Sequence, residues 1–107
     1  MPVETLPELE EEQQTVVKKL PPYHVILHND EDHSFPYVIA MLQQLFGIPF
    51  EKGHKMAHEV HEKGKVIVIT TSKEHAELKQ EQIHAFGPDK TVPRCKGSMT
   101  ATIEAAN

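Results

Sequence analysis

The chain reads as an α+β domain: a small three-stranded sheet with three helices packed on it, in the order β-α-α-β-α-β, behind a flexible N-terminal arm. Three observations predict this. The segment YHVILH (Tyr23 to His28) alternates with period two, two segments between Val38 and Lys63 repeat apolar residues at helical spacing, and KVIVIT (Lys65 to Thr70) is a β-branched run of strand length. Strands interrupted by helical stretches in a chain of 107 residues fit one compact domain plus a tail. A domain of that size buries about two-thirds of its unfolded surface, so its core is modest.

Residues 1–20 differ from the rest. Glu4, Glu8, Glu10, Glu11 and Glu12 cluster there with little that could seed a core, which predicts a mobile acidic arm. Pro21-Pro22 marks the boundary, giving an extension over 1–21 and a folded domain over 22–107. The first strand carries Tyr23, Val25 and Leu27 on one face and His24, Ile26 and His28 on the other. Asn29 to Ser34 breaks it with turn chemistry. A helix follows, capped by His33 or Ser34, with Pro36 in its first turn, where a missing N–H does no harm. Val38, Met41, Leu42, Leu45 and Phe46 form its apolar stripe, and Gly47 closes it.

A second helix is predicted from about Glu51 to Lys63. On a helical wheel Gly53, Met56, Ala57 and Val60 share a face, with His61 one position round from it and His54 and His58 farther toward water. Gly64 ends this helix. The run Lys65 to Thr70 lacks alternation, as expected of a central strand. Thr71 with Glu74 three residues on fits a capping box for a third helix reaching about Phe86. Gly87-Pro88-Asp89 stops it, residues 87–98 read as a loop, and Met99 to Ile103 forms a last short strand.

Composition narrows the function. The net charge is −5 with no basic stripe, so the electrostatic footprint of a nucleic-acid binder is missing. No apolar run is long enough to span a bilayer, and no secretory signal pattern is present. The single cysteine, Cys95, excludes an intramolecular disulfide framework and favours a reducing, cytoplasmic setting. Cys95 lies in a basic loop, PRCKG, yet no paired base, glycine-rich phosphate loop or nucleophile elbow is evident, so no enzymatic activity is expected.

Binding chemistry is better represented. The strand end Asn29-Asp30-Glu31-Asp32, His61 at a helix end and small apolar residues together make a receptor for a cationic group with an apolar neighbour. Eight histidines also raise a metal-binding alternative: His54, His58 and His61 follow an H-x₃-H-x₂-H spacing. No HExxH motif occurs, because His61 comes one residue early after His58-Glu59.

The residues Tyr23, Val25-Ile26-Leu27, Asn29-Asp30, Val38-Ile39, Glu59-Val60-His61 with Gly64-Lys65, and Ala76-Glu77 with Lys79 run in one order and spacing. In these the chain resembles the ClpS family of adaptors, which deliver substrates to the ClpA and ClpC unfoldases of the Clp protease. The resemblance runs from about Pro22 to Glu104 and thins after Phe86. It implies binding of N-end-rule substrates, proteins whose first residue is a bulky hydrophobe. Asn29, Asp30 and His61 would hold the free α-amino group. Phe35, Val38, Ala57, Val60 and Met99 would surround the first side chain, and Glu74 and Lys79 would dock on the unfoldase. The resemblance calls for no cofactor. This chain has Ala57 where many members carry Met, Phe35 where Met is usual, and His33 where Thr is common. A ClpS-like docking module lacking amine binding is the other alternative.

Overall fold

A computed structural model describes residues 20–106 of the chain. The extension expected over 1–21 therefore lies, except for its last two residues, outside the described residues. Six elements follow in the predicted order: β1 (Tyr23–His28), α1 (Phe35–Phe46), α2 (Phe50–Lys63), β2 (Lys65–Thr71), α3 (Lys73–His84) and β3 (Ala101–Ala105).

The strands form one antiparallel sheet in the order β2-β1-β3, so β1 is central and β2 is an edge. This corrects the expectation of a central strand at Lys65 to Thr70. Val66 and Val68 are buried, whereas Ile67 between them is 49% exposed on the open face of the sheet. The register slips by one residue between the pairs Val25–Ile69 and Ile26–Ile67. Val68 is the extra residue, and the slip turns Ile69 back toward the core, which erases the simple alternation. Bulging, and not burial on both faces, produced the unbroken apolar run.

On the covered face Val25 and Leu27 of β1, Val66 and Val68 of β2 and Ala101 of β3 pack against Val38, Met41, Leu42, Ala57, Val60, Ala76 and Ile83 of the helices. Burying a side chain such as Leu42 or Ile83 contributes about 1.5–3 kcal/mol. The open face is polar between its isoleucines: His24 Nδ1 lies 2.7 Å from Thr70 Oγ1, and His28 Nε2 lies 2.7 Å from Thr102 Oγ1.

Ser34 caps α1, its Oγ accepting from the Tyr37 N–H at 3.3 Å, and Pro36 occupies the first turn as expected. Gly47 ends the helix at φ 67°, its N–H returning to the Gln43 carbonyl. In α2 the buried residues are Gly53, Met56, Ala57 and Val60, the face read from the wheel. The cap of α3 is Ser72, not Thr71: Thr71 is still paired with Tyr23 in the sheet, and Ser72 Oγ accepts the His75 N–H at 3.3 Å. The helix ends at His84, where the His84 ring accepts the Ala101 N–H at 3.0 Å and fixes the start of β3. Met99, expected inside the last strand, precedes it and is buried.

Candidate binding site

Three chain segments meet at one corner of the domain. The Asn29 N–H donates to the Gly64 carbonyl at 2.9 Å, and the His28 N–H donates to the Thr100 carbonyl at 3.0 Å. The end of β1 is thereby tied to the end of α2 on one side and to the approach to β3 on the other. Gly64 makes this join possible. It ends α2 at φ 87°, a left-handed conformation that a β-carbon disfavours, while its N–H caps the Val60 carbonyl.

Asn29 and His61 are exposed and Asp30 is partly covered. The Phe35 ring, at the start of α1, stands edge-on to His61 with centroids 5.5 Å apart and to His58 at 4.7 Å. Val38, Ala57, Val60 and Met99 are all buried in the core, whose partly buried margin includes Phe35.

The turn that follows Asn29 is heavily cross-linked. Asp30 Oδ1 accepts the Asp32 N–H at 2.9 Å, and both carboxylate oxygens lie within hydrogen-bonding distance of His33 Nδ1, at 2.6 and 2.8 Å. The opposite ring nitrogen, His33 Nε2, is 2.8 Å from the Gly97 carbonyl. Arg94 reaches over from the same loop, donating to Asp32 Oδ1 at 2.6 Å and to the Glu31 carbonyl at 2.7 Å. This loop, residues 87–98, is therefore fastened to the site turn.

Asp89 is the buried centre of that fastening, with 4% exposure. Its Oδ2 accepts the Ser34 N–H at 2.7 Å, and its Oδ1 accepts the Thr91 N–H at 3.0 Å and the Thr91 hydroxyl at 2.6 Å. Burial pushes the carboxyl pKa up, but the hydrogen bonds from Thr91 and Ser34 together outweigh it and hold the group well below the usual carboxylate range. The Tyr37 hydroxyl adds a bond to the Gly87 carbonyl at 2.5 Å, and burial pushes that phenol up, so it stays a donor. Sequence reasoning missed Asp89, Tyr37 and the function of His33. Gly-Pro-Asp reads locally as a turn, and a partner 55 positions away leaves no local signature.

Glu74 and Lys79 lie elsewhere, on α3. Glu74 is exposed in the first turn and lines a surface cavity of about 600 Å³ with Leu20, Pro22 and Tyr23. Lys79 Nζ donates to the Leu45 carbonyl at the end of α1 and sits 5.3 Å above the Phe46 ring, so it caps a helix as well as lining a surface. Neither joins the corner formed by Asn29, Asp30 and His61.

The histidines disperse. His24, His28, His33, His75 and His84 each have a ring nitrogen at hydrogen-bonding distance from another group of the domain. His54 and His58 stack edge-to-face at 4.7 Å, but among the described residues no group of three His, Cys, Asp or Glu side chains could hold a metal ion. The loop also gives Cys95 a histidine neighbour that the sequence did not reveal: Sγ lies 3.3 Å from His33 Nε2. That nitrogen is closer to the Gly97 carbonyl, and the thiol is buried.

Fold and corner together define a small α+β module in which a strand end and a helix end are joined at an exposed polar corner. Comparison with known proteins gives the family. The family model "ATP-dependent Clp protease adaptor protein ClpS" matches residues 18–93. The ClpS adapter of Vibrio atlanticus is 35% identical over 86 residues, covering 80% of this chain and 81% of that protein. The one from Aromatoleum aromaticum is 36% identical over 76 residues, covering 71% and 74%. The structure of Agrobacterium tumefaciens ClpS2 bound to L-phenylalaninamide superposes with a TM-score of 0.71 at 22% identity, over 82% of this chain and all of that one. The chain belongs to the ClpS family of Clp protease adaptors. Among the described residues no helix is long and apolar enough to cross a membrane.

Proposed function

We propose that this adaptor recognises N-end-rule substrates by their free α-amino group and bulky hydrophobic first residue, and passes them to a ClpA- or ClpC-type AAA+ unfoldase in the cytoplasm. It performs no catalysis of its own. Asn29, Asp30 and His61 receive the amine. Phe35, Val38, Ala57, Val60 and Met99 shape the space for the first side chain, Glu74 and Lys79 contact the unfoldase, and the acidic residues 1–21 assist the transfer.

The observation that carries this reading is the Asn29–Gly64 hydrogen bond, which joins the strand end bearing Asn29 and Asp30 to the helix end bearing His61, beside Phe35. The chemistry agrees. An α-amine, with a pKa of about 7.7–8, is largely ammonium at neutral pH and offers three donors. An amide oxygen, a carboxylate and a neutral imidazole nitrogen are matching acceptors, each such charged hydrogen bond contributing roughly 1.5–3 kcal/mol. An internal residue offers one uncharged N–H and leaves the acceptors unpaired, which disfavours it. L-phenylalaninamide, the ligand of the related ClpS2 structure, carries both a free α-amine and an aromatic side chain.

The test is titration with a peptide beginning in Phe and with its N-acetylated twin. At least tenfold weaker binding of the acetylated peptide is expected, with His61→Ala reducing that ratio. Equal affinities, or binding of neither, would remove the amine site.

A further inference from the structure

Resting on that reading, we infer that His33 is a positioning residue: it fastens the Met99 segment against the site turn and so sets selectivity for the first side chain, separately from capture of the amine. His33 bridges the site turn and the approach to β3 from a covered position, whereas Arg94 links turn and loop from an exposed one. Its Nδ1 meets the Asp30 carboxylate, one residue from Asn29, and its Nε2 meets the Gly97 carbonyl, two residues from Met99. The side chain is 4% exposed, so water does not replace these contacts readily.

The Met99 segment is anchored on both sides, and Ser98 Oγ also accepts the Gly87 N–H at 2.7 Å within the loop itself. Gly97 is held by His33, and Thr100 is held by the His28 N–H at 3.0 Å. Met99 lies between them, at 2% exposure. Releasing the Gly97 end leaves the N-terminal side of Met99 held only from within its own loop, through Ser98 and Gly87, so its packing in the core loosens. Of the three amine acceptors, Asn29 is tied to Gly64 and His61 belongs to α2; only Asp30 touches His33, and without that contact it still accepts the Asp32 N–H at 2.9 Å.

Both neighbours of the His33 ring are acceptors, the Asp30 carboxylate and the Gly97 carbonyl. The Cys95 thiol lies 3.3 Å from the same Nε2, and the Tyr37 ring packs on the imidazole with its centroid 4.5 Å away, so the ring is held on its edges and on one face. A threonine at this position reaches only one of the two acceptors.

The experiment measures three peptides, starting with Phe, with Ala and with N-acetyl-Phe, on wild type, His33→Gln and Asp30→Asn, each checked for a native circular dichroism spectrum. Glutamine cannot span both acceptors. In His33→Gln the Phe-over-Ala affinity ratio is expected to fall at least fivefold while the free-over-acetylated ratio stays within twofold. Alkylation of Cys95 should accelerate in both variants, reporting release of the loop. An unchanged Phe-over-Ala ratio, or equal losses in both ratios, would overturn the role assigned to His33. Failure of the underlying reading is distinguishable, because then wild type itself would not separate the Phe peptide from its acetylated twin.

Discussion

Asp89→Ala is the perturbation whose size the structure best defines. The carboxylate accepts three hydrogen bonds, one from Ser34 and two from Thr91. Bonds to a charged group contribute roughly 1.5–3 kcal/mol each, and a simple sum would approach the whole stability of a small domain. Thr91 is exposed, however, so water takes over most of its two bonds, while the partly covered Ser34 N–H at the start of α1 loses its partner. The expected cost is about 2–4 kcal/mol, most of it from the Ser34 bond. Since 1 kcal/mol moves the midpoint of a domain this size by roughly 4–8 °C, thermal unfolding should drop by roughly 10–20 °C. Urea titration should show a lower midpoint with an unchanged slope. The sign of the pH effect follows from the depressed native pKa: the stabilisation is complete above the ordinary value of 3.8 and is lost as pH falls through the lower native one. Asp89→Ala should therefore narrow its deficit in acid. A loss under about 0.5 kcal/mol at neutral pH would refute the view that Asp89 holds the loop to the site turn.

Two further expectations concern the helices. Gly53→Ala should stabilise the domain by roughly 0.5–1 kcal/mol, measured by the same urea titration, because a helix-interior glycine is costly and the added methyl would meet Ile39 Cγ2 at an ordinary 3.6 Å. Tyr37→Phe should cost about 0.5–1.5 kcal/mol through loss of the bond to Gly87. Because burial raises the phenol pKa above its usual 10.0, the ionisation-linked stability of Tyr37 persists below that pH and fades as pH rises through the native value, so the variant should flatten the alkaline limb of a thermal-melt series.

Local signals carried the elements well. Pro36, Gly47 and Gly64 bounded helices as their backbone chemistry requires, and the wheel for α2 placed Gly53, Met56, Ala57 and Val60 inward, as found. Failures came where a distant partner decides. Thr71 looks like a cap until its pairing with Tyr23 is known, and Lys65 to Thr70 looks central until the bulge and strand order are known. At the corner, Asn29, Asp30 and His61 can be named from sequence, but the bonds from His33 to Gly97 and from Asp89 to Ser34 span 64 and 55 positions. Nothing in a loop of mixed polar residues distinguishes such a hub from an ordinary turn.

Because Gly64 finishes α2 with its N–H and receives Asn29 on its carbonyl, helix phase and corner geometry are a single variable. Inserting one residue between His61 and Gly64 would swing His61 about 100° around the axis relative to its strand-borne neighbours. Exchanging a side chain at fixed length leaves that phase intact, whereas a change in length between the two does not.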